Sequence, residues 1–268
     1  MKDDIKVVEN FYNNDVEQEW NRLEKHPFEF IITTRFMDRY IKEGDKVLDI
    51  GGGPGRYSLY YAQKGCDVTL FDLSQGNVDY AFAKAKEYNL NLKGYAGDAT
   101  VVDEMIPDTF DHVFLMGPMY HLLEEEDRKK AIKAALSLVK PGGKIYISFI
   151  LMFSGMIYCM KFDPSILLDP SETKFIESVL EDKSYIGDAF TKACFMSQKD
   201  LKQFVHELPT KKLHLFGQEG ILGPSELNIL AQPGEVIDLW ITLSEQLCER
   251  EELLSYSEHV MYIGEKEK

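Results

Sequence analysis

The segment Val47-Leu48-Asp49-Ile50-Gly51-Gly52-Gly53-Pro54-Gly55-Arg56 constrains this chain more than any other. A short apolar strand runs straight into a cluster of glycines, and the helix-like stretch RYSLYYAQKG follows. Glycine lets the backbone turn sharply and approach a ligand that side chains would exclude. Strand, glycine loop and helix together form the repeating unit of an open α/β sheet, which binds ligands at the carboxyl ends of its strands. Two familiar ligands fit poorly. A dinucleotide fold wants G-x-G-x-x-G, whose third glycine falls on Arg56, and the Gly-Lys-Ser/Thr ending of a P-loop is missing.

The rest of the chain extends the alternation. Residues 67–72 (DVTLFD) read as a second strand, and Ser74 suits the N-cap of the helix that follows. A weaker strand spans residues 91–97 and a fourth spans 110–116. Residues 124–140 form the clearest helix, with acids in its first turn, and Pro141-Gly142-Gly143 stops it before a fifth strand at 144–150. The pattern breaks over 151–210. It resumes with strands at 211–216 and 259–263 around a helix at about 235–254. The expectation is a doubly wound, mostly parallel seven-stranded sheet with helices on both faces. The core comprises 43–150 and 211–268, residues 1–42 are helical, and 151–210 is an insertion.

Acidic residues outnumber basic ones 45 to 30, and the resulting charge of −15 repels phosphate backbones and anionic lipid, so neither nucleic acid nor a membrane is an expected partner. Cys66, Cys159, Cys194 and Cys248 are scattered singly, without the paired spacing of a zinc site, so no metal is expected. The uncharged run IYISFILMFSGMIYCM falls short of the ~20 apolar residues of a membrane helix. MKDDIKVVENFYNND lacks an apolar signal core, and the cytoplasm is the expected compartment.

In this setting the chain resembles the class I S-adenosylmethionine-dependent methyltransferases, specifically their small-molecule branch. Asp49, Gly51, Gly53 and Gly55 match the family's first motif, which, with Gly52, would wrap the methionine part of the cofactor. Asp72, followed by Leu73, matches the acid that binds both ribose hydroxyls, a task suited to a carboxylate because it accepts two hydrogen bonds side by side. Gly97-Asp98-Ala99 matches the adenine-binding segment, and Met116-Gly117-Pro118 the loop that faces the sulfonium. The resemblance implies S-adenosyl-L-methionine as cofactor, an N-terminal helical cover at 1–42, and a helical lid at 151–210 that sets acceptor specificity.

Methyl transfer from a sulfonium is an in-line displacement, so the protein mainly supplies position and a dry site, with a base only where the acceptor must lose a proton. His121, in the loop beside the expected methyl group, is the first choice for a catalytic contact, and Tyr120 adjoins it. Tyr12 and His26 in the cover, and Met156 and Tyr158 in an apolar stretch suited to a greasy acceptor, are the expected acceptor contacts. A protein or RNA acceptor, or binding without catalysis, are the competing readings.

Overall fold

Strand β1 (Lys46–Ile50) is apolar on both faces, Leu48 and Ile50 packing into one buried cluster and Val47 into another, so it sits inside a sheet covered by helices above and below. The structure, a computed structural model, describes residues 3–14 and 16–267. The other strands are β2 (Asp67–Asp72), β3 (Lys93–Ala96), β4 (Phe110–Leu115), β5 (Val139–Leu151), β6 (Tyr185–Asp188), β7 (Lys192–Met196), β8 (Lys211–Gly217) and β9 (His259–Glu265). β3, β2, β1, β4 and β5 lie side by side and parallel, and β9 inserts antiparallel between β5 and β8. These are the seven strands expected. The reversal at β9 pairs its first residue, His259, with Ile150 near the carboxyl end of β5.

Helices α1 (Asp3–Asn14), α2 (Val16–Lys25) and α3 (Pro27–Met37) precede the sheet. α4 (Arg56–Gln63), α5 (Gln75–Glu87), α6 (Val102–Met105) and α7 (Glu125–Leu138) connect its parallel strands, and α8 (Met152–Phe162), α9 (Thr173–Leu180) and α10 (Gln198–His206) belong to the insertion. α11 (Glu226–Leu230) and α12 (Gly234–Leu247) link β8 to β9. Local signals set several ends. The Ser74 hydroxyl accepts from the Asn77 N–H at 3.1 Å to cap α5, and Ser197 caps α10 through the Asp200 N–H at 3.1 Å.

The insertion is not wholly helical. β6 and β7 form an antiparallel hairpin, and β7 adds in parallel to the end of β5, Phe195 opposite Ile150 and Met196 opposite Leu151. The reason lies in β5, which runs on past Ile147, its last residue paired with β4 (opposite Leu115), and leaves a backbone edge that needs pairing. The apolar stretch also departs from expectation. Met152 and Ile157 are buried in α8, while Phe153, Tyr158, Met160 and Phe162 are exposed. Among the described residues no helix is long and apolar enough to cross a membrane.

Candidate active site

A cavity crosses the carboxyl edge of the sheet. It begins at Asp98 after β3 and Asp72 at the end of β2, passes the glycine loop and Met116, and reaches Ser148 on β5, Gln218 after β8 and His259 on β9. Its empty space, solvent mouth included, is about 1120 Å³.

The first half is built by backbone. Gly53 holds φ +55, with open space where a Cβ would stand, and its N–H donates to Asp72 Oδ2 at 2.8 Å. Gly51, at φ +72, lies so close to Pro118 that a Cβ would come within 2.3 Å of its ring. The two loops thereby pack together as one floor. Asp72 Oδ1 also accepts from the Ser74 N–H at 2.9 Å and from Asn77 Nδ2 at 3.0 Å, so three donors fix the carboxylate at the rim. Burial nevertheless raises its pKa. Asp98 accepts from the Thr100 N–H through Oδ1 at 2.8 Å. Gly51, Gly52, Gly53, Asp72, Leu73, Asp98, Ala99, Met116 and Gly117 all line the cavity.

Two expected contacts lie beneath that lining. Gly55 starts α4 at φ +88 and packs on Ala81, where a Cβ would approach within 2.9 Å. Asp49 is fully buried under Gly52, accepting from the Ser58 hydroxyl at 2.7 Å through Oδ2 while Oδ1 has no protein partner. Burial pushes its carboxyl up to about 7, and the charge of Asp72 adds to the shift.

Helices α1 to α3 roof the cavity through Ile5, Val8, Tyr12, Glu19, Arg22 and Glu29. The ring of Phe11 meets that of Phe190, between β6 and β7, edge-on with centroids 6.3 Å apart. Beneath that contact the Tyr12 hydroxyl lies 2.8 Å from His121 Nε2, and His121 Nδ1 lies 3.0 Å from the Lys192 carbonyl. A carbonyl only accepts, so Nδ1 carries the proton and Nε2 accepts from Tyr12. Burial pushes the imidazole down to about 4 and keeps it neutral. His121 therefore orients Tyr12 rather than presenting a free nitrogen.

The far half of the cavity is polar, and sequence reasoning missed most of it. Arg22 forms two hydrogen bonds to Glu19, at 2.9 and 2.7 Å. His259 Nδ1 donates to Glu219 Oε1 at 2.8 Å, while its backbone N–H donates to Oε2 of the same carboxylate at 3.0 Å. Glu29 lies 3.8 Å from His259 Nδ1 and 3.9 Å from Arg22, and accepts a long hydrogen bond of 3.4 Å from Tyr57. Atoms of Glu29, Glu219 and His259 lie within 4.8 Å of one another, close enough to hold a cation. The imidazole itself fills that role: burial would lower its pKa, but Glu29 and Glu219 outweigh it and raise it to about 9.

Of the expected acceptor contacts, Tyr12 and Tyr120 line the cavity, as does the expected catalytic contact His121, whereas His26, Met156 and Tyr158 do not. His26 instead precedes α3 and pairs with Glu226 at 2.6 Å. Met156 packs beside Phe175 and Tyr185 in the insertion's own core, and Tyr158 is 54% exposed. A helix period in a greasy segment says which side chains share a face, but not that the face meets a ligand.

Residues 47–143 match the family described as "Methyltransferase domain". A ubiquinone biosynthesis O-methyltransferase of Pseudomonas fluorescens is 33% identical over 107 residues, 40% of this chain and 45% of that one. The chain spans about half the length of the curated relatives it matches. The magnesium protoporphyrin IX methyltransferase of Synechocystis, solved with bound S-adenosylhomocysteine, superposes with a TM-score of 0.59 at 14% identity, covering 98% of this chain and 100% of that one. The N-methyltransferase NodS of Bradyrhizobium japonicum, also solved with that ligand, gives 0.55 at 13%, covering 96% and 99%. At such identities the likeness is one of fold.

Proposed function

We propose, from the class I methyltransferase fold of this chain and the methyltransferase domain over residues 47–143, that it transfers a methyl group from S-adenosyl-L-methionine to a small-molecule acceptor. The observation that carries this reading is the backbone-built half of the cavity, where the left-handed glycine loop opens onto empty space between Asp72 and Asp98. Asp72 would hold the ribose hydroxyls and Asp98 the adenine amine. The partnerless, buried Oδ1 of Asp49 suits the cationic amino end, directly or through a water. When bound, the cofactor supplies a methyl carbon already activated by its sulfonium.

The chain's own part is position and dryness. Met116 and Gly117 form the floor between the two halves, the paired Arg22 and Glu19 close one wall, and Tyr12, fixed by His121, offers oxygen lone pairs at the roof. Exclusion of water strengthens each of these polar contacts. A small acceptor is favoured because helices α1 to α3 cover the cavity, and Phe11 of α1 meets Phe190 above Tyr12 and His121. Four free, buried cysteines suit a reducing cytoplasm.

Titration calorimetry with S-adenosyl-L-methionine and S-adenosyl-L-homocysteine tests the reading. Micromolar binding of either is expected, and the absence of heat from both refutes it.

A further inference from the structure

We propose that Glu29, Glu219 and His259 form a site for one divalent transition-metal cation, open toward the polar half of the cavity. Ligand atoms that share such an ion at ~2.0–2.2 Å stand roughly 3–4 Å apart. His259 Nδ1 stands 2.8 Å from Glu219 Oε1 and 3.8 Å from Glu29 Oε2, and one atom of each residue lies within 4.8 Å of the other two. Separate elements hold them: α3 carries Glu29, the turn after β8 carries Glu219, and β9 begins at His259. The backbone N–H of His259 donates to Glu219 Oε2 at 3.0 Å and so keeps the other oxygen of that carboxylate beside the ring.

Glu29 is an independent sign of a ligand. It is 8% exposed, yet its Oε2 accepts no hydrogen bond among the described residues; His259 Nδ1 at 3.8 Å and Arg22 Nη1 at 3.9 Å both stand too far away. Oε1 receives only the long bond of 3.4 Å from Tyr57. A carboxylate so buried is ordinarily met by close donors or by an ion. Glu29 and His259 both line the cavity, so the space between them opens onto it.

Charge balance points the same way. Glu19, Glu29 and Glu219 bring three negative charges to this end of the cavity, and Arg22 brings one positive charge. A proton on His259 Nδ1 leaves one negative charge uncompensated. A divalent cation in that proton's place leaves none, and the imidazole, then neutral, offers it the lone pair of the same nitrogen. Two carboxylates and one imidazole suit Mn²⁺, Fe²⁺, Co²⁺ or Zn²⁺, whereas Ca²⁺ and Mg²⁺ prefer oxygen ligands alone. Three protein ligands leave further positions for water or substrate. On the methyl-transfer reading, an ion there polarises an oxygen that the acceptor brings to it and eases the loss of its proton. Cysteine spacing does not disclose such a site, because its ligands are two carboxylates and a single histidine far apart in the chain.

The test uses the full chain, treated with a chelator, dialysed, and titrated with Mn²⁺ and with Zn²⁺ in the calorimeter. One equivalent of either is expected to bind at micromolar affinity and to raise the melting temperature. Glu29→Gln and His259→Gln should each weaken binding at least tenfold, while Glu126→Gln, on the exposed face of α7, should bind as the wild type does. Pulsed electron paramagnetic resonance of the wild-type Mn²⁺ complex should detect one imidazole nitrogen on the ion, a readout that stands even where a variant fails to fold. The open positions should appear as faster relaxation of water protons. Binding no tighter than millimolar, affinity unchanged in both site variants, an ion without imidazole nitrogen, or an ion closed to water would overturn the proposal. Failure of the wild type to bind S-adenosyl-L-homocysteine would instead remove the methyl-transfer reading and leave the metal site standing.

Discussion

Replacing Asp49 by asparagine should change how the stability of this protein depends on pH. The carboxyl is fully buried, takes one hydrogen bond from Ser58, and leaves Oδ1 without a partner. Its pKa stands at about 7, against ~3.9 in an unfolded chain. The sign follows from proton uptake. Between those two values the folded state binds the extra proton, so the contribution of Asp49 is favourable at low pH, declines as pH rises through the window, and stays unfavourable above it. About 3 units at ~1.4 kcal/mol each give on the order of 4 kcal/mol in full, of which about 2.5 kcal/mol is lost between pH 5 and pH 8. In Asp49→Asn the amide keeps the bond from Ser58 and adds a buried donor, a cost of ~1–3 kcal/mol that does not vary with pH. Urea unfolding of both proteins at pH 5 and pH 8 should therefore show the variant gaining about 2.5 kcal/mol relative to the wild type across the interval. Saturating S-adenosyl-L-homocysteine should flatten the wild-type decline, since a bound ammonium favours the carboxylate. Parallel pH profiles for the two proteins would refute the argument.

Asp72→Ala should weaken binding of S-adenosyl-L-homocysteine by ~1.5–3 kcal/mol in calorimetry, and should also lower the melting temperature, because Gly53, Ser74 and Asn77 lose their shared acceptor. Wild-type affinity would break the assignment of Asp72. Gly53→Val should abolish cofactor binding, since a β-branched side chain resists φ +55 and would project into the cavity; retained binding with an unchanged melting temperature would reduce the loop to a turn. Removing residues 1–25 takes Tyr12, Glu19 and Arg22 from the cavity wall but no strand from the sheet. The truncated chain should keep its far-ultraviolet dichroism in the sheet region while losing at least ~tenfold in cofactor affinity, about 1.4 kcal/mol. Unchanged affinity would make α1 and α2 packing elements only.

The backbone-built half of the site was legible from the sequence because its determinants are local. A glycine loop needs only its own residues to turn, and Asp72 and Asp98 lie in the residues that end β2 and follow β3. The polar half obeys no local rule. Glu29, Ser148, Gln218 and His259 come from α3, β5, the turn after β8, and β9, and only the antiparallel insertion of β9 brings the last of them beside Ile150. One signal was available: a strand beginning at residue 259 and running against its neighbours must start at the carboxyl edge, where ligands bind. The apolar stretch of α8 misled for the converse reason. Its composition suited a ligand wall, whereas its burial is governed by packing on Phe175 and by a sheet edge that β7 had to cover.

The contact between Phe11 and Phe190 joins parts of the chain separated by most of its length. Bringing such distant segments together carries a large loop-closure cost, and nothing local rewards it until the sheet has set both anchors in place. The roof is accordingly the last piece to assemble. By the same balance its α1 portion is the first to come apart, because its opening exposes two rings and breaks the Tyr12–His121 bond while leaving both apolar clusters of the sheet untouched. Entry and exit then require no dedicated hinge: fraying of the least stable unit of the fold exposes the site, and amide exchange in α1 should outpace that in β1 and β4 by orders of magnitude.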